Sequence, residues 1–130
     1  MAKDKLFLLP HDIDKDGLSW FCPPCAMVEG FLNWFPQVRD DLEIVTVPYP
    51  RPRAPVAELF GEDHPGSPVL VLAEGSPDDE DMQVANGLRY LDDAKAVLRY
   101  LADRRGLPRP LGSRLPDARS QNLVGDKLIA

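Results

Sequence analysis

The sequence predicts an α/β domain with a mixed four-stranded sheet and helices on both faces, followed by an irregular C-terminal tail. Three observations predict it. Short apolar or β-branched runs, each ended by proline or glycine, recur along the chain and read as buried strands. Two longer segments between them place apolar residues at helical spacing. After Gly106 the periodicity fades and Pro108, Pro110 and Pro116 interrupt the chain.

Each element has a local reason. Residues 5–9, KLFLL, form an apolar run closed by Pro10, the pattern of a buried parallel strand. The stretch HDIDKDGLSW is rich in turn formers and reads as a loop. From residue 23 to 35, Ala26, Val28, Phe31, Leu32 and Phe35 fall mainly at helical spacing. Proline near the start and Pro36 past the end bracket that helix. Because a proline disfavours helical dihedrals in the residue before it, Pro24 is expected to delay the helix start by one residue.

Residues 42–47, LEIVTV, are β-branched and stop at Pro48, giving a second strand. PYPRPRAP is too proline-rich for a regular element, and residues 56–60 form a short helix closed by Gly61. Residues 69–73 are a third strand, and GLRYL is a short fourth one. The acid-rich AEGSPDDEDMQVAN joins these two as a solvated loop. Residues 92–105 make an amphipathic helix with Asp92 as its N-cap, acids at its start and Arg104–Arg105 at its end. The first strand, helix and second strand require a right-handed crossover between parallel strands. Residues 1–106 are expected to be one domain, and residues 107–130 a tail or an arm on this or another subunit.

Composition narrows the function. A chain of 130 residues supports one core of ordinary size, and 44% apolar with 28% charged residues reads as globular. A net charge of -6 argues against nucleic acid, which needs a clustered positive face. No apolar run approaches the ~20 residues that span a bilayer. The apolar stretch near the N-terminus is too short for a signal peptide, so a cytoplasmic location is expected. In that compartment a lone Cys-x-x-Cys is catalytic or metal-binding more often than a structural staple.

The two cysteines of the chain lie in WFCPPCAM. A sulfur at a helix N-terminus meets a partial positive charge and free backbone N–H groups. Cys22 is then the nucleophile, and Cys25, one turn on, the resolving thiol. The prolines remove donors: Pro24 has no N–H, so only the Cys25 amide remains for the Cys22 sulfur. Two other readings stay open. The cysteines can be unreactive packing residues, or they can join His11 and His64 in a tetrahedral zinc set.

The same residues carry a family resemblance. WFCPPC at a strand-to-helix junction is similar to the Cys-x-x-Cys of thioredoxins and tryparedoxins, with one extra residue between Trp and Cys. SPVLVL resembles the segment in which thioredoxin-like proteins carry a cis-proline beside the cysteines, which implies that role for Pro68. HPGSPVLVLAEG followed by YLDDAKAVLRYLADR is similar to glutaredoxin and glutathione transferase N-terminal domains. In the transferases a Glu-Ser pair opens the last helix and holds glutathione; here that pair reads Asp93-Ala94. With its YPRPR loop, the whole chain most resembles a bacterial thioredoxin-like family of unknown function.

What the resemblance implies is a thioredoxin-like fold and a thiol–disulfide oxidoreductase. Cys22 attacks, Cys25 resolves, and the Ser67 backbone beside Pro68 pairs with a bound peptide or with glutathione. The partner is a disulfide-containing protein or glutathione, no cofactor is required, and the protein is a monomer or homodimer. Other candidates stand apart from that core. Arg51 and Arg53 can grip a substrate carboxylate or be a solvated basic loop. Asp93 can meet a ligand ammonium, and Trp20 is either a lid on the site or core. The alternative function is a non-catalytic module holding glutathione, a zinc ion or a protein partner in the same groove.

Overall fold

The computed structural model describes residues 2–113. Strand β1 (Asp4–Leu8) buries Leu6, Phe7 and Leu8 in succession, so both of its faces are covered. Helix α1 (Pro23–Trp34) turns Cys25, Val28, Phe31 and Leu32 into the core and crosses over to β4 (Leu42–Thr46). The crossover makes β4 parallel to β1, with Asp4 opposite Leu42 and Leu8 opposite Thr46. A 3-10 helix, Pro36–Asp41, links α1 to β4 and buries Val38.

Helix α2 (Ala54–Phe60) ends at Gly61, whose φ of 87° suits a residue without a Cβ. Strand β5 (Val69–Val71), buried throughout, lies antiparallel to β1. Strands β6 (Gln83–Ala85) and β7 (Leu88–Leu91) pair antiparallel, and β7 pairs with β5. The sheet order is β4-β1-β5-β7-β6. Helix α3 (Ala94–Asp103) packs on α1 and buries Val97, Leu98 and Leu101.

Several expectations change. The sheet has five strands rather than four, because β6 forms inside the segment read as loop. Its hairpin closes through Asn86-Gly87, with φ of 53° and 76°, the left-handed pair that a two-residue turn requires. The HDIDKDGLSW segment is likewise a hairpin. Strands β2 (Ile13–Lys15) and β3 (Leu18–Trp20) join through Asp16-Gly17, with φ of 58° and 73°.

The acid run is solvated only in part: Asp78, Glu80 and Asp81 are exposed, while the Asp79 side chain is 9% exposed. Asp79 receives both guanidinium nitrogens of buried Arg99 at 3.0 and 2.8 Å, and Asp81 receives one at 2.9 Å. Arg99 is held protonated by those hydrogen bonds, against its own burial. Asp93, not Asp92, caps α3: its carboxylate accepts the Ala96 amide at 3.1 Å, while Asp92 accepts from Gln83. The start of the proposed tail lies on the body of the protein, where Leu107 packs against the core and Arg109 pairs with Asp103. Its remainder, residues 114–130, lies outside the described residues.

Candidate functional site

Cys22 is the N-cap of α1, with extended dihedrals (φ −84°, ψ 111°). Pro23 and Pro24 follow as the first two helical residues, so the helix starts without the expected delay. The first N–H groups of a helix have no intrahelical partner, which is why two prolines are tolerated there. The Cys22 sulfur accepts one amide, that of Cys25, at 3.3 Å. Its thiol faces the Ser67 carbonyl at 4.0 Å, and the Ser67–Pro68 peptide bond is cis. The Ser67 hydroxyl is buried with no hydrogen-bond partner among the described residues.

Both cysteines are free; Cys22 is half-buried and Cys25 is 3% exposed. The Cys25 thiol is pushed up to about 12, first by burial and then by its hydrogen bond to Cys22. A backbone hydrogen bond at Leu9 and the charge of Arg53 act in the opposite sense. The arrangement keeps Cys25 protonated and sheltered while Cys22 meets solvent.

Cys22 opens on a cavity of about 410 Å³ bounded by Leu9, Ile13, Pro23 and Tyr49 and by Lys15, Asp16, Trp20 and Phe21 of the hairpin region. Trp20 is therefore on the rim and not in the core; its indole N–H donates to the Lys15 carbonyl at 3.4 Å. Phe21, Tyr49 and the hairpin itself escaped the sequence reading. The signal that could have revealed them was Asp-Gly between two short runs, immediately before the cysteines.

Of the two loop arginines, Arg51 is exposed, as a solvated loop would have it, and Arg53 is buried. Arg53 is 7% exposed; its Nε donates to the Tyr49 carbonyl at 2.8 Å, and its guanidinium lies 5.4 Å from the centre of the Tyr49 ring. Burial, and then Arg51, lower its pKa. Arg51 donates to the His64 carbonyl at 2.7 Å. Neither arginine lines the cysteine cavity. Asp93 borders a separate cavity of about 230 Å³ beside Arg99.

The zinc set is not brought together. His11 is exposed, whereas His64 is buried and both its ring nitrogens are engaged, Nε2 by the Arg53 amide and Nδ1 by the Pro65 carbonyl. Among the described residues no group of three or more His, Cys, Asp or Glu side chains is arranged to hold a metal ion. Nor is any helix among them long and apolar enough to cross a membrane.

Fold and site together define an α/β protein with a free Cys-x-x-Cys pair at a helix N-terminus, the second thiol buried. Comparison with protein families matches residues 3–109 to the family described as "Protein of unknown function (DUF3088)", and the chain belongs to that family. Neither the curated proteins nor the solved structures give a match.

Proposed function

We propose that the protein is a thiol–disulfide oxidoreductase of thioredoxin type, working through Cys22 and Cys25. The observation that carries this reading is the asymmetry of the pair. One sulfur is open to a cavity and capped by a single amide at 3.3 Å, while the other is buried one turn behind it with its proton retained. The order β4-β1-β5-β7, in which β5 alone runs opposite to the other three, is similar to the thioredoxin core, to which β6 adds one strand.

In this mechanism the Cys22 thiolate attacks one sulfur of a substrate disulfide. A Cys22–substrate S–S bond forms, and the other half leaves as a thiolate that takes a proton from water. Cys25 then gives up its proton to water, which returns one to the departing substrate thiolate, and attacks the Cys22 sulfur. The Cys22–Cys25 bond forms and the second substrate thiolate departs. The substrate disulfide gains two electrons and the dithiol gives up two. In this reading the Ser67 carbonyl, which faces Cys22 beside Pro68, accepts a backbone N–H of the substrate.

Single-turnover reduction of hydroxyethyl disulfide by the fully reduced chain tests the reading. Wild type is expected to end with a Cys22–Cys25 disulfide, Cys25→Ser with a stable mixed disulfide on Cys22, and Cys22→Ser with no reaction. Wild type that leaves the disulfide untouched defeats the proposal and favours the non-catalytic module.

A further inference from the structure

The geometry points to a substrate class for this site: a disulfide within a polypeptide, flanked by aromatic or aliphatic side chains that seat on the β2–β3 hairpin. This inference rests on the oxidoreductase reading and deepens it. Leu18, Trp20 and Phe21 are 56%, 54% and 61% exposed, three large apolar side chains within four residues. Apolar surface gathered this way marks an interaction site more often than scattered apolar residues do. The hairpin is folded so that the patch runs into the site, because Trp20 and Phe21 line the cavity that holds Cys22.

Charge selects between the two disulfide partners that the sequence allows. The charged side chains at this cavity are Lys15 and Asp16, adjacent and opposite in sign. Glutathione disulfide carries several carboxylates and needs fixed cations to hold them. The arginines expected to supply those cations are directed elsewhere, Arg51 to His64 and Arg53 to Tyr49. A chain of net charge -6 also repels an anionic ligand at long range. A neutral apolar flank fits this surface, and glutathione does not.

The test uses the full-length reduced chain and two synthetic peptides joined by a disulfide, identical except that Leu-Phe or Ser-Ser flanks the half-cystine. Wild type is expected to react about tenfold faster with the Leu-Phe peptide, a ratio in the range one apolar contact supplies. It should react more slowly with glutathione disulfide than with that peptide. In Trp20→Ser/Phe21→Ser, the ratio of the two peptide rates should fall close to one. Equal peptide rates in wild type, a ratio unchanged in the double variant, or glutathione disulfide as the fastest substrate would each overturn the inference. A second arm measures fluorescence anisotropy of labelled peptides in which serine replaces cysteine, so that binding is read without redox chemistry. Preferential binding of the Leu-Phe peptide sustains the hairpin site even if hydroxyethyl disulfide is not reduced, and equal binding of both peptides overturns it.

Discussion

The backbone amide of Arg53 donates to Nε2 of His64 at 2.9 Å, in a buried setting. Because Nε2 accepts, the neutral ring carries its proton on Nδ1, which donates to the Pro65 carbonyl at 2.9 Å. Arg51 closes the tie by donating to the His64 carbonyl. One histidine thus joins the loop before α2 to the loop before β5, the segment that presents Ser67 to Cys22.

His64→Leu keeps the volume and removes the acceptor, stranding the Arg53 amide. The expected loss of stability is about 2 kcal/mol, the usual cost of an unpaired buried donor. A urea titration measures it. A midpoint equal to wild type would show that the amide finds another partner.

Cys25 imposes a pH dependence on the reduced protein. Its folded-state pKa is raised from 9.0 to about 12, so the folded chain keeps a proton that the unfolded chain loses. The contribution is complete below the unfolded value and is lost as pH rises from about 9 toward 12. In that window the reduced protein should lose up to about 1.4 kcal/mol per pH unit through this group. The slope should be smaller in Cys25→Ala, compared by urea unfolding at pH 8 and pH 10.

Arg53 should matter more at the second chemical step than at the first, because its charge couples to Cys25 more strongly than to Cys22. Two of the influences that raise the Cys25 pKa come from Cys22, through its hydrogen bond and its charge. Both disappear once Cys22 is joined to substrate. What then opposes burial is the Leu9 backbone and the Arg53 cation. Arg53→Met should prolong the mixed disulfide, because the cation that favours the Cys25 thiolate is gone. Alkylation of Cys22 should slow by a smaller factor, and Arg53→Lys should restore part of the rate. Acid quenching followed by non-reducing mass spectrometry separates the two steps.

Arg99→Leu removes the partner from a pair whose side chains are 6% and 9% exposed. Leaving Asp79 buried beside a leucine should cost about 3 kcal/mol, far more than breaking a surface ion pair would. Thermal unfolding checks this. The companion substitution Arg39→Leu, which breaks an exposed pair with Glu29, should change stability by less than about 1 kcal/mol.

The longer elements were legible because burial dictates their residues. β1 and β5 are buried apolar runs, β4 is rich in β-branched residues, and α1 and α3 carry helical spacing. The short hairpins were not read, although Asp16-Gly17 and Asn86-Gly87 spell their turns. Strands of three residues with polar flanks, such as Ile13–Lys15 and Gln83–Ala85, are too brief to display alternation. The positions of Cys22 and Cys25 at a helix start followed from local sequence, whereas that of Ser67 facing them came from the family resemblance. The burial of Arg53 did not, since it depends on Tyr49 and His64 drawing the side chain and backbone inward. Arg99 posed the same difficulty, because its partners Asp79 and Asp81 lie 20 and 18 residues away.

Two consecutive prolines leave the backbone between the sulfurs with a single exchangeable hydrogen, that of Cys25. In a nitrogen-edited spectrum the motif past Cys22 is therefore represented by one backbone resonance. Deuterium uptake at that one position would follow the pair through every change of oxidation.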